Sequence, residues 1–479
     1  MQNSSYRRSS WTPYLILAVC LAAVGGLLFG HDTGVISGAL LYLKGQFKLD
    51  SSLQEAVTAT VLVGAVCGAA VGGKASDMVG RRTMLIVFGI LFFIGSGGTA
   101  VSMNVPWLFA GRFVVGFSIG GASLLAPLYI AEISPRDIRG GLVFLQQVAI
   151  TLGIFVAYLL DYGFGTLSSS WGWRAMFAIG VVPAAILFLG MFVMPESPRF
   201  LIGKKREDEA RGVLEKVRGE TGKAIDDDIR QVRSKVQSRG SLADLARPEL
   251  RLAVTVGVGL AIFQQITGIN TIIYYAPTIL QKVGTTGSGN LAAILGGAEI
   301  AAVNFLATIV VVPLVDRVGR RVLLIGGMVI MALSLGALGV ALMLPNVLST
   351  APWVVIALLM LYVIGFAIGL GPVFWLMISE IYPLRVRGLS MSIATIANWA
   401  ANLVVALTFL SLFQAIGRSG TFFLYAILTV GAIAFAYFLV PETKGKGLEE
   451  IEDMWEERAG VNDQRPPKGR EPGTNPAAG

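Results

Sequence analysis

The stretch GGKASDMVGRR at residues 72–82 returns as PLVDRVGRR at 313–321. Two more stretches return with it: AEISPRDIRG at 131–140 as SEIYPLRVRG at 379–388, and PESP at 195–198 as PETK at 441–444. The offsets are 239, 248 and 246 residues, and three motifs kept in one order at nearly one spacing mark an internal duplication.

The residues between these motifs are apolar. Hydrophobic residues make up 54% of the chain and charged ones 14%, where a soluble domain carries roughly a quarter charged. Runs of about twenty apolar residues, the length that crosses a hydrocarbon layer of roughly 30 Å, lie near 14–43, 56–76, 83–102, 107–131, 141–162, 174–194, 252–281, 291–315, 322–343, 353–378, 389–413 and 420–440. The expectation is an all-α membrane protein of about twelve transmembrane helices in two pseudo-symmetric six-helix halves. Its parts are an N-terminal tail (1–13), a first half (14–194), a linker (195–251), a second half (252–440) and a C-terminal tail (441–479).

Positive charges orient the bundle, because Lys and Arg stay on the cytoplasmic side of short loops. Of the 38, 32 fall in the tails and the alternate loops near 74–82, 136–139, 199–251, 317–321 and 385–387. Lys44, Lys48, Arg174, Lys282 and Arg418 lie on the other side, and Arg112 lies inside a span. Both termini are therefore expected in the cytoplasm. The basic balance follows from topology and implies no nucleic-acid partner. Cys20 and Cys67 fall in apolar runs and read as small packing residues, with no disulfide framework or metal site. Arg7 and Arg8 precede a run too long for a signal peptide, which reads as a retained first helix. The linker stretch KKREDEARGVLEKVRGE mixes both charges at helical spacing and is expected to lie under the bundle against the loop motifs. The tail beyond about Gly460 is rich in Pro, Gly and polar residues and reads as disordered.

Polar side chains deep in apolar runs need partners and so point to a site. They are Gln147; Gln264, Gln265, Asn270, Thr271, Tyr274 and Tyr275 in FQQITGINTIIYY; Asn304; Trp375; and Asn398, Trp399 and Asn402 in IANWAANLV. Amides both donate and accept, as hydroxyls require, and an indole covers the C–H face of a sugar ring. No ionic cluster accompanies them, so the ligand reads as neutral and polyhydroxylated. Taken singly, such residues also serve as hydrogen bonds between helices. In GLLFGHDTGVISGALL, residues 26–41, Asp32 is an acid at mid-membrane, and Arg112 is the one base in the spans. A charge retained at that depth is a functional hypothesis by default. His31 reads as a neutral histidine bonded to a neighbouring helix or as a proton relay.

The paired DxxGRR, ExxPxxxRG and PESPR/PETKG motifs, over residues 14 to 450, resemble the sugar porter family of the major facilitator superfamily. The resemblance implies transport of a neutral monosaccharide or polyol by a membrane carrier that works as a monomer, without cofactor or metal. It implies sugar contacts at Gln147, Gln264, Gln265, Asn270, Asn304, Trp375 and Asn398, with Asn402 nearby. In proton-coupled members an aspartate matching Asp32 and an arginine matching Arg112 form the coupling pair, whereas facilitative members often have asparagine there, so proton symport is expected over uniport. Asp77, Arg81, Glu132, Arg139, Glu196, Asp316, Arg320, Glu380, Arg387 and Glu442 lie at expected cytoplasmic helix ends, where interhelical ion pairs can hold one face shut. Phe374 departs from the family, which usually has a second proline there, leaving the break of the tenth helix to Gly369, Gly371 and Pro372. A non-transporting sensor would be expected to have a longer tail, a drug exporter a more apolar cavity, and an enzyme a nucleophile, metal cluster or cofactor motif.

Overall fold

The computed structural model describes residues 12–135, 138–219, 247–284, 289–344, 350–383, 386–445 and 448–458, with a few isolated positions in the linker. Among the described residues, twelve helices are long and apolar enough to cross a membrane: Pro13–Gln46, Ser51–Val79, Arg81–Ala100, Val105–Ile133, Gly141–Phe164, Ser170–Val193, Leu250–Val283, Asn290–Val315, Arg320–Met343, Trp353–Glu380, Arg387–Ala415 and Gly417–Leu439. They are numbered below as spans in chain order. The tail beyond Gly460 lies outside the described residues.

Short-range chemistry sets where several spans begin. Thr12, Asp50 and Asn104 cap the first, second and fourth by accepting from Leu15, Leu53 and Trp107 N–H, satisfying donors a helix start leaves free. Between the second and third spans, and again between the eighth and ninth, the chain turns through Gly80 (φ 107°) and Gly319 (φ 111°). Glycine adopts that backbone without the Cβ penalty, which is why the turn recurs in both copies of the motif.

Small residues then let helices approach. Gly26, Gly30, Gly34 and Gly38 line one face of the first span, and a Cβ on Gly30 would stand 1.9 Å from the Ile150 carbonyl oxygen of the fifth. The second and fourth spans meet in the same way, a Cβ on Gly120 lying 2.0 Å from Ala65 O. With lipid outside as apolar as leucine, close packing of small-xxx-small faces is what holds such helices together.

The first six spans pack among themselves, second on fourth, first on fifth, and third on fourth and sixth. The last six repeat the pattern, ninth on tenth and twelfth, and seventh on eleventh. The two sets touch along three seams: second against eleventh, fifth against eighth, first against seventh. Outward faces carry apolar side chains such as Ile94, Leu189, Leu333 and Phe438. Cys20 and Cys67 are exposed there as well, so the expected role as packing residues inside the bundle is corrected: both sit on helix faces turned away from the core. The short helices Pro198–Gly203 and Glu207–Arg218 follow the sixth span, and Thr12 donates to Val217 O at 2.7 Å, tying the linker to the start of the first.

Candidate functional site

Three spans are interrupted, the sixth at Ile179–Gly180, the seventh at Thr267–Gly268 and the tenth at Gly369. Breaks of this kind expose backbone groups at membrane depth and are tolerated where they line a protein-walled cavity. At the seventh, Gly268 has φ 95° and Tyr362 OH donates to Thr267 O at 2.9 Å. The break divides Gln264 and Gln265 from Asn270 and turns all three toward one another. Gly369, Gly371 and Pro372 lie at the break of the tenth, and Phe374 is fully buried with its ring against that of Trp375, 4.8 Å between centroids.

Four of the expected site residues form one hydrogen-bonded cluster. Asn270 Nδ2 donates to Gln265 Oε1 at 2.6 Å, Gln265 Nε2 to Asn398 Oδ1 at 3.0 Å, and Asn398 Nδ2 to Gln264 Oε1 at 2.6 Å. Gln264 Nε2 donates to Leu370 O (3.0 Å) and Gly371 O (3.2 Å), joining the cluster to the break of the tenth span. A ring of amides satisfied by one another can exchange those bonds for the hydroxyls of a ligand without stranding a buried group.

Asn402 lies one helical turn beyond Asn398 and donates to Tyr274 OH at 3.1 Å; its own Oδ1 is buried without a partner among the described residues. Asn304 is buried, its Oδ1 equally unpartnered, on a separate small cavity with Tyr158 and Ile273. Gln147 and Trp375 are half-buried, and no hydrogen bond ties either to the cluster among the described residues.

In the other half Arg112 Nη1 donates to Asp32 Oδ1, the arginine 1% and the aspartate 5% exposed. The guanidinium also lies over the Phe177 ring, 5.5 Å from its centroid. Removing two charges from water is costly, and removing one partner of such a pair costs more. The pair opens onto a small cavity whose wall includes Phe29, Thr58, Tyr274 and Trp399. Tyr274 thus lines this cavity with Asp32 and Arg112 and is bonded to Asn402, one helical turn beyond Asn398. His31 turns elsewhere. Its Nε2 is buried without a partner among the described residues and faces Gly180, where an added Cβ would stand 2.9 Å away.

The loop motifs form two matching clusters on the face where the first span begins and the twelfth ends. Arg81 pairs with Asp77 (2.8 Å) and Glu132 (3.1 Å), and Glu196 Oε1 accepts from Arg81 N and Arg82 N at 2.9 and 3.1 Å. Arg320 pairs with Glu380 at 3.2 Å, and Glu442 accepts from Arg320 N and Arg321 N, both at 3.0 Å. Ser197 donates to Glu132 as Thr443 does to Glu380. Burial pushes the Glu442 carboxyl up, but N–H groups of Lys444, Arg320, Arg321 and Thr443 outweigh it and hold it below the ordinary value. These bonds are interhelical, but each joins helices of the same half. Arg387 donates to Tyr382 O at 3.1 Å. The side chains of Arg139 and Asp316 lie outside the described residues. Phe200, four residues before the stretch KKREDEARGVLEKVRGE, stacks on Arg81, 5.6 Å from ring centroid to guanidinium carbon.

Two buried acids escaped sequence reasoning. Asp161 in the fifth span is fully buried with its carboxyl against Gly38, and Glu55 near the start of the second is 3% exposed. The signal was an acid inside or at the edge of an apolar run, in neither case part of a repeated motif.

A family model described as sugar (and other) transporter matches residues 18–455. The chain belongs to that family. It is 40% identical to the D-xylose transporter of Levilactobacillus brevis over 90% of this chain and 93% of the relative. It is 39% identical to the galactose-proton symporter of Escherichia coli K12 over 91% and 93%. Among solved structures, the major facilitator superfamily proton:xylose symporter XylE of E. coli, bound to 6-bromo-6-deoxy-D-glucose, is similar at TM-score 0.79 and 33% identity, covering 92% of this chain and 99% of that one. The transporter thus has the major facilitator fold, and the repeat in its sequence is the repeat of that fold.

Proposed function

We propose that this transporter carries a neutral monosaccharide or polyol across the cell membrane by alternating access, in symport with a proton, as a monomer with both termini in the cytoplasm. One observation carries the reading: Tyr274 lines the cavity of the Asp32–Arg112 pair and accepts a hydrogen bond from Asn402, one helical turn beyond Asn398 of the amide cluster. The amides of the seventh and eleventh spans bind hydroxyls, with Trp375 covering an apolar ring face and Gln147 and Asn304 supplying polar contacts from the fifth and eighth. Protonation of Asp32 removes the charge that holds Arg112. Freed, the arginine changes the cavity wall that Tyr274 shares, so proton and sugar bias the same rearrangement. Return of the proton to the inside restores the pair and resets the carrier.

The motif clusters tie together the helix ends of each half on the cytoplasmic face, so each half moves as a body. The test is uptake of a panel of labelled hexoses, pentoses and inositols into proteoliposomes, with and without an imposed pH gradient. Accumulation of one class that requires the gradient is the expected result; equilibration at the same level with and without it would replace symport by uniport.

A further inference from the structure

We propose that Glu55 is the latch of the face opposite the loop motifs, a positioning residue of the transport cycle. Ser411 N donates to Glu55 Oε1 at 2.8 Å and Ser411 Oγ to Oε2 at 2.7 Å. The two residues belong to the second and eleventh spans, one from each half, so these bonds cross the seam that alternating access must open. Next to them, Gln414 Nε2 donates to Ser51 Oγ across the same seam. On the opposite face the ion pairs of Arg81 with Asp77 and Glu132, and of Arg320 with Glu380, each join groups of one half.

The chemistry of the contact makes it two-state. Glu55 is 3% exposed, and among the described residues no Lys or Arg lies within ion-pair distance of it. Its carboxylate is therefore held by the two Ser411 donors, and bonds to an ionised acceptor are stronger than neutral ones. A small separation of the spans would strand a buried carboxylate, which is costly, whereas a large one admits water to replace both bonds. The seam is thus stable when dry and bonded or when wet and open, and unstable between.

The latch rests on the alternating-access reading, and its test needs neither sugar nor proton. In cells expressing a variant with Cys20→Ala and Cys67→Ala, a Thr58→Cys reporter one turn inward from Glu55 is labelled from outside with a membrane-impermeant, charged methanethiosulfonate. Thr58 is buried beneath the seam. Ser411→Ala, which removes the Oγ bond and keeps the backbone one, should speed labelling about tenfold, the value of one charge-assisted hydrogen bond, and Glu55→Ala, which removes both, should speed it further. Glu55→Gln, which keeps one acceptor oxygen, should give a smaller rise. The double variant Glu55→Ala with Ser411→Ala should label no faster than Glu55→Ala alone, because Glu55→Ala already removes the one bond that Ser411→Ala breaks; a merely structural role would not produce that equality. Labelling within twofold of the parent in both single variants, or additive rises in the double one, would overturn the latch. Sugar counterflow in the Ser411→Ala variant separates the two readings: counterflow retained with labelling unchanged defeats the latch and leaves transport standing. Faster labelling in a protein with no counterflow for any sugar of the panel supports the latch and counts against the substrate reading.

Discussion

The two halves of this transporter match at their loop motifs and differ at mid-membrane. Around Gly80 and Gly319 the same turn, the same capping glutamate and the same hydroxyl-to-carboxylate bond occur twice. Moved by the repeat offsets of 239 to 248 residues, however, Asp32 falls within 271–280 and Arg112 within 351–360, stretches holding no acid and no base. Moved back, Gln264 and Gln265 fall within 16–26 and Asn398 within 150–159, where there is no amide. The buried ion pair lies in one half and the bonded amide cluster in the other. The difference teaches that duplication preserved what joins helix ends in both copies, while the interior of each copy took up its own chemistry. On the proposed mechanism, proton and sugar communicate across the interface between halves, where Tyr274 lines the cavity of the Asp32–Arg112 pair.

If that division is right, breaking it on the charged side costs most. Arg112→Ala leaves Asp32 buried without its partner and should destabilise the protein by about 3–5 kcal/mol, read as a lower thermal midpoint in detergent. Adding Asp32→Asn should recover much of the loss, because the stranded charge is gone. A loss that persists in the double variant would mean that Arg112 matters for packing and not for charge.

On the amide side the effect is smaller and falls on affinity. Gln265→Ala or Asn270→Ala should weaken sugar binding by about 1–3 kcal/mol, the usual penalty for stranded hydrogen-bonding partners, with the pH dependence of uptake kept. Unchanged affinity in both would remove the seventh span from the site. At the crossing point, Tyr274→Phe removes the hydroxyl that accepts from Asn402 and should cost about 1 kcal/mol in binding while loosening the proton-to-sugar ratio. An intact ratio would show that coupling takes another route.

The matched motif clusters should give the least interaction of all. Arg81→Ala and Arg320→Ala act within separate halves, so their effects on the thermal midpoint should add within about 0.5 kcal/mol; strong coupling would place a bridge between the halves. Within one cluster, Glu442 is held below its ordinary value of 4.5. Its folded-state value is depressed, so its contribution is present above the unfolded value and lost as pH falls through the folded one. Glu442→Gln should accordingly flatten the acid-side decline of the thermal midpoint, and an unchanged slope would assign that decline to other carboxyls.

Much of this architecture was legible before any coordinates. Twelve apolar runs and one repeat offset led to the fold, because membrane length and backbone satisfaction leave few alternatives. Gln264, Gln265, Asn270 and Asn398 were legible as a site because amides in hydrocarbon must find partners. Their mutual bonding was not, since it depends on breaks at Thr267–Gly268 and Gly369 that turn neighbouring residues to one side. The motif acids and bases were legible as a set, yet sequence order cannot say whether Arg81 reaches a helix of its own half or of the other. Glu55 was hidden for a plainer reason: its partner lies 356 residues away and belongs to no repeat.

The central claim is that Asp32 carries the proton that drives sugar movement, and Asp32→Asn tests it most directly because it removes the titratable charge while nearly preserving shape. In one preparation of vesicles, sugar-driven alkalinisation of the medium is recorded alongside sugar counterflow. Accumulation needs each sugar crossing tied to a proton crossing, and a fixed neutral side chain leaves the pH difference nothing to act on. Alkalinisation lost with counterflow retained is the predicted result; concentrative uptake driven by a pH gradient in the Asp32→Asn variant would contradict it.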